Sequence, residues 1–120
     1  MASILFVDDE PLTLKLLSQA ASILGHQALT SSTAEEALSI AAIQQPDLIV
    51  TDINLSGRAS WAFIESLHTG EETSQIPIVT LSALDPAEVE EQSRQRGAVA
   101  SLAKPIRLQT LLEVIGEYTK

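Results

Sequence analysis

The stretch Leu48-Ile49-Val50-Thr51 carries no charge and stops abruptly at the carboxylate of Asp52. A short run rich in aliphatic and β-branched residues reads as a strand buried on both faces, the kind found in parallel sheets covered by helices on either side. Such a strand needs parallel neighbours, and each parallel connection needs a crossover long enough to hold a helix. Open sheets of this type build their sites beyond the C-terminal ends of their strands. An aspartate there is a metal ligand, a nucleophile or a loop residue.

The remaining sequence supplies those neighbours. Ile4, Leu5, Phe6 and Val7 read as a first strand that ends at Asp8-Asp9-Glu10. Pro11 suits a first helical position because the N–H it lacks would be unpaired there. Leu16, Leu17, Ala20, Ala21 and Leu24 then form a helical stripe, with Gly25 as its cap. Residues 27–30 make a weak second strand. Thr33 and Glu36 stand at capping-box spacing before a helix whose inward stripe is Ala34, Ala37, Leu38 and Ala41, and Pro46 stops it.

After Asp52, residues 53–60 read as a loop containing Gly57. A third helix over 60–68 turns Phe63, Ile64 and Leu67 inward, and a fourth strand is predicted over 76–81. Asp85 and Glu88, again at capping-box spacing, open a fourth helix with Pro86. Only Ala87 and Val89 are apolar between residues 86 and 96, so this helix is expected to be the most loosely held. Gly97 precedes a short strand over 98–103. A last helix over 107–118 places Leu108, Leu111, Leu112 and Ile115 on one face. Strand and helix alternate five times, which predicts βαβ units in a doubly wound α/β sheet spanning 1–120 as one domain.

Charge and composition narrow the function. The formal net charge is −9, with 7 Lys and Arg and no basic run, which argues against a nucleic-acid or anionic-membrane surface. There is no cysteine, so disulfides, zinc–thiolate sites and thiol catalysis are excluded. The first apolar run is too short for a signal peptide or a membrane span, and a soluble cytoplasmic protein is expected.

The groups just beyond the strands are Asp8 and Asp9, then Asp52, then Ser82, then Lys104. All five would meet on one edge of the sheet. Carboxylates brought together repel, and a hard divalent cation with oxygen ligands relieves this; Mg²⁺ favours one or two carboxylates plus a phosphate oxygen. A lysine and a hydroxyl complete an anion pocket. Such a set can neutralise a phosphoryl group in transfer.

The ordered motifs are Val7-Asp8-Asp9-Glu10-Pro11, Asp47-Leu48-Ile49-Val50-Thr51-Asp52-Ile53, Pro77-Ile78-Val79-Thr80-Leu81-Ser82-Ala83, Gly97-Ala98 and Lys104-Pro105. Together they resemble the receiver domain of bacterial two-component response regulators, over the whole chain. The resemblance implies a flavodoxin-like fold with five helices and strand order 2-1-3-4-5. It implies that Asp52 accepts a phosphoryl group from a phosphohistidine, and that Asp8, Asp9, Asp52 and the backbone carbonyl of Asn54 hold Mg²⁺. Ser82 and Lys104 would bind phosphoryl oxygens, and a cis peptide is expected at Lys104-Pro105. Activity would be limited to the chain's own phosphorylation and slow dephosphorylation. The implied partners are a sensor histidine kinase or phosphotransfer protein on the input side and a downstream protein on the output side, with a homodimer as an open assembly.

Three positions depart from the family pattern. Ser101 stands three residues before the lysine, where Tyr or Phe usually swings inward. Ser56 stands where proline is common, and Ser60 where glycine is common. A phosphate relay and a switch without an aromatic reporter both fit these changes. Other readings are a pseudo-receiver that only binds partners, a receiver belonging to a larger regulator or hybrid kinase, and a phosphatase of the haloacid-dehalogenase type. The last wants a second acid two residues after the nucleophile, where this chain has Asn54. His26 and His68 are expected to be exposed, and Trp61 to serve packing or to lie over the site.

Overall fold

The computed structural model describes residues 2–55, 58–59, 61–83 and 86–119, without the side chains of residues 58, 59, 86 and 88. The strands of the large sheet are β1 (Ser3–Val7), β2 (Gln27–Ser31), β3 (Leu48–Asp52), β6 (Ile78–Ser82) and β7 (Ala100–Ala103). Between β3 and β6 lies a small ribbon of β4 (Asn54–Leu55) and β5 (Arg58–Ala59). The helices are α1 (Pro11–Ile23), α2 (Ala34–Gln44), α3 (Trp61–Thr69), α4 (Pro86–Gln95) and α5 (Leu108–Tyr118). The large sheet is parallel throughout, in the order β2-β1-β3-β6-β7. Counting its own strands alone, this is the expected 2-1-3-4-5.

Alternation along the central strands divides the core in two. Ile4 and Phe6 of β1 pack with Leu17, Ala20 and Ala21 of α1 and with Leu111 and Ile115 of α5. Leu5 and Val7 face the other way, onto Ala37 and Ala41 of α2, Phe63, Ile64 and Leu67 of α3, and Val89 of α4. Every residue of β3 and β6 is buried. That is why their sequences carry no polar alternation beyond hydroxyls. The edge strands β2 and β7 are mostly half-exposed, which explains the weak signal of the former.

Helix ends follow the sequence cues. Pro11 opens α1, and Gly25 follows it at φ +78°. The Thr33 side chain accepts the Glu36 N–H, as the capping-box spacing predicts, and Gln45 closes α2 in the left-handed region just before Pro46. The capping pair Asp85 and Glu88 lies outside the described residues and side chains, as do Ser56, Gly57 and Ser60.

Two strands start later than expected. The Ile76 N–H donates to the Thr73 carbonyl in a turn and Pro77 has no N–H, so β6 begins at Ile78 and runs on to Ser82, whose carbonyl accepts the Lys104 N–H. The Gly97 and Ala98 N–H groups donate back to Arg94 and Ser93, closing α4 and delaying β7 to Ala100. The Lys104-Pro105 peptide is cis, as expected.

His26 is not exposed. It is half-buried, its Nδ1 accepts the Ala2 N–H at 3.0 Å, and its Nε2 lies 3.4 Å from Thr119 Oγ1. It ties the start of β1 to the end of α5. His68 is exposed, with its ring against Gly97. Trp61 packs against the α2–α3 core, with the Arg96 guanidinium 4.8 Å from its ring centroid.

Gly97 has φ +110°, and a Cβ there would collide with the His68 ring, whereas Gly25 has open space around it. Gly97→Ala is therefore expected to cost about 1–3 kcal/mol in urea unfolding, from strain and collision together. Gly25→Ala should cost less, and adding His68→Ala to Gly97→Ala should recover part of the loss.

Candidate functional site

Adjacent parallel strands end side by side, so β1 and β3 deliver Asp8 and Asp52 as neighbours. One carboxylate oxygen from each of Asp8, Asp9 and Asp52 lies within 4.8 Å of the others. Asp8 is fully buried and Asp52 nearly so, while Asp9 is exposed. Each buried carboxylate is oriented by a turn of its own chain. Asp8 Oδ1 accepts the Glu10 N–H at 2.9 Å, and Asp52 Oδ1 accepts the Asn54 N–H at 3.0 Å.

The second oxygens are held by one cation. Lys104 Nζ donates to Asp8 Oδ2 at 2.9 Å and to Asp52 Oδ2 at 3.0 Å. The lysine follows β7 and reaches past the end of β6, where Ser82 stands buried and Ala83 carries only a methyl group. Ser82 is joined to the lysine through its carbonyl, which accepts the Lys104 N–H at 2.7 Å. All six residues expected at the site thus lie at this edge of the sheet. Beside Lys104, between α1 and the β7–α5 connection, opens a cavity of ≈ 400 Å³ lined by Thr13, Leu16, Ala83, Pro105 and Ile106.

The electrostatics are unbalanced toward the acids. Burial pushes the Asp52 carboxyl above its ordinary value and the Asp8 charge adds to this, against the lowering by the Asn54 N–H and Lys104. Burial pulls the Lys104 ammonium down, but its bonds to Asp8 and Asp52 outweigh this and hold it above the ordinary lysine value. All the donors offered by the carboxylates are oxygens, which suits a hard cation such as Mg²⁺. The arrangement pairs a basic, oriented carboxylate with an ammonium that can follow developing negative charge.

Beneath the site the structure places a cluster that the sequence did not announce. Thr80 Oγ1 lies 2.7 Å from Ser101 Oγ and 3.1 Å from Ser93 Oγ. Thr80 falls within the fourth predicted strand, and nothing in the sequence pairs it with residues 13 and 21 positions away.

A raised pKa on a carboxyl means that its charged form destabilises the fold above that pKa, and that the penalty fades as pH falls through it. In Mg²⁺-free buffer near neutral pH, Asp52→Asn is expected to raise the Tm. The gain should shrink on acidification and vanish below the ordinary carboxyl value of 3.8, where both chains are neutral at this position. Thermal melts of both proteins across pH check this.

The model of the response regulator receiver domain matches residues 4–116. The polar-differentiation response regulator DivK of Brucella ovis is 31% identical over 116 residues, covering 97% of this chain and 94% of its own. Protein PilH of Pseudomonas aeruginosa is 30% identical, with 96% and 95% covered. The chemotaxis response regulator CheY4 of Vibrio cholerae superposes with a TM-score of 0.90 at 25% identity over 98% of both chains. NtrX of Brucella abortus superposes at 0.89 with 28% identity, there over only 26% of the longer chain. With the fold and the acidic edge already in place, these likenesses make the chain a member of the response regulator receiver domain family, whose general function is a phosphorylation-controlled switch.

Proposed function

We propose that Asp52 is the phosphoacceptor of this chain and that its phosphorylation drives a switch or relay in two-component signalling. The observation that carries this reading is the shared bond of Lys104 Nζ to Asp52 Oδ2 and Asp8 Oδ2. It leaves Asp52 oriented and electron-rich, with a cation beside it. An Asp52 carboxylate oxygen attacks the phosphorus of a phosphohistidine in line. The new P–O bond forms as the P–N bond breaks, and the imidazole nitrogen leaves with the electron pair. Lys104 then shifts from the carboxylate pair to a phosphoryl oxygen, and Ser82 donates its hydroxyl to another.

Asp8, Asp9, Asp52 and the Asn54 carbonyl would hold Mg²⁺, which would neutralise charge on the transferring phosphoryl oxygens. Asp9 is the exposed member of the set, which keeps one side open to water and to the donor. Asn54 in place of an acid removes the base that would activate water, so the acyl phosphate is hydrolysed slowly rather than turned over. This favours a signalling protein over a phosphatase. Retention of Asp8, Asp9, Asp52, Ser82 and Lys104 together favours it over a pseudo-receiver.

The donor is a sensor kinase or phosphotransfer protein, and the surface beside the site suits a protein of that kind. Leu12, in the first turn of α1, is 74% exposed, and Thr13 and Leu16 of the same helix line the cavity beside Lys104. The described residues include no helix long and apolar enough to cross a membrane. The net charge of −9 disfavours direct nucleic-acid binding, and the cytoplasm is the compartment in which such donors act.

With a small acyl phosphate and Mg²⁺, intact mass is expected to show one added phosphoryl group, absent in Asp52→Asn. An unmodified wild-type chain would refute the assignment. Mg²⁺ at ten- to a hundred-fold excess over its Kd should stabilise the chain by about 1–3 kcal/mol in thermal melts. Asp9→Asn should fold normally and lose most of that gain, and Na⁺ should give none.

A further inference from the structure

The family's usual aromatic reporter is absent here, and a buried hydroxyl cluster stands in its place. Thr80 of β6 and Ser101 of β7 are register partners on adjacent parallel strands, so their side chains share one face of the sheet. That face is covered by α4, whose Ser93 hydroxyl meets Thr80. Thr80 and Ser93 are both fully buried, and Ser101 is half-buried. Among the described side chains of α4, only Val89 and Ser93 are buried, one helical turn apart. Among the described side chains, those that seat the helix on the sheet are thus Val89, by aliphatic packing, and Ser93, by its hydrogen bond to Thr80.

We propose that Thr80, Ser93 and Ser101 form the coupling element by which occupancy of the Asp52 site sets the position of α4. The inference rests on the reading of Asp52 as phosphoacceptor and names how that site is reported. Thr80 lies two residues before Ser82 on β6, so both side chains point to the same face. When Ser82 turns to a phosphoryl oxygen, the end of β6 is drawn toward the site and Thr80 moves with it.

A hydroxyl carries one proton and can serve one acceptor at a time. Thr80 has three neighbours within reach: Ser93 Oγ at 3.1 Å, Ser101 Oγ at 2.7 Å and the Ala100 carbonyl at 3.5 Å. The cluster thus has discrete arrangements that differ in which hydroxyl donates, and each keeps β6 bonded to both α4 and β7, so a shift of β6 is passed to α4. Every arrangement keeps its buried hydroxyls paired, so exchange between them is not blocked by an orphaned polar group. Aliphatic packing at the same place would offer no such alternatives.

Ser93→Ala tests this, because Thr80 keeps Ser101 and the Ala100 carbonyl and the fold has no buried group left unpaired. Ser101→Ala at the sheet edge is the second variant, and Ser101→Thr is the conservative control that keeps the hydroxyl. Amide exchange of α4 is compared with and without acyl phosphate and Mg²⁺, with intact mass reporting the phosphorylated fraction. In the wild type, phosphorylation is expected to change α4 exchange by roughly threefold or more. Ser93→Ala and Ser101→Ala should take up the phosphoryl group equally well and show less than about half that change, while Ser101→Thr responds like the wild type. A full α4 response in Ser93→Ala, or none in the phosphorylated wild type, overturns the coupling. A wild type that gains no phosphoryl group overturns the phosphoacceptor assignment instead.

Discussion

One ammonium group holds the functional edge together. Lys104 Nζ bridges Asp8 and Asp52, and so joins the ends of β1, β3 and β7. Neighbouring strands are about 4.8 Å apart, so β7 and β3 are separated by roughly twice that, with β6 between them. Only a long side chain can cross this gap, and only if the end of β6 is low. Ser82 and Ala83 meet that condition. The adjacency of β1 and β3 and the nearness of β7 are thus requirements of the site as much as of the fold, since parting β1 from β3 would separate the two aspartates.

The same contact shows where the chain gives up stability. Three acids meet one lysine, and burial lifts Asp52 above an ordinary carboxyl. The cost is met by the two apolar layers on either side of the sheet. Each fully buried Leu, Ile or Phe there contributes about 1.5–3 kcal/mol, and Phe6, Ile4, Leu5, Leu17, Ile49 and Leu111 are all wholly enclosed. A strained charge cluster at the rim of an aliphatic core keeps the electrostatic stress where a phosphoryl group and a cation would relieve it.

The parts of the molecule legible from sequence are those whose signal is local. β1, β3 and β6 sit inside the sheet, and their uncharged runs reveal both the strands and the acids or hydroxyls at their ends. Helix caps such as Thr33 are legible because donor and acceptor lie three residues apart. The expected residues Asp8, Asp9, Asp52, Asn54, Ser82 and Lys104 were found at one edge because each directly follows a strand. What escaped depends on distant pairing. The β4–β5 ribbon has only two residues per strand, too few for any periodicity. The delayed starts of β6 and β7 come from turn bonds to Thr73, Ser93 and Arg94. His26 reads as a polar residue after a cap until Ala2 and Thr119 are brought against its two nitrogens.

Ser101 shows the difference between a missing residue and a missing function. From the sequence it is an absence, a small side chain where the family carries a ring. In the fold its hydroxyl is 2.7 Å from Thr80, within a cluster that reaches α4. A ring reports by moving between a cavity and the surface, which changes the shape of the outer face. Hydroxyls of this size cannot do that; they can only exchange donor and acceptor roles, and the displacement is carried by the elements they join. Output from such a cluster is therefore expected in the seating of α4, the most polar of the five helices, rather than in a side chain presented to solvent. The polar character of α4 then has a physical reason. A helix bound by a full aliphatic face would not respond to the exchange of one hydrogen bond, whereas a helix held by Val89 and Ser93 can.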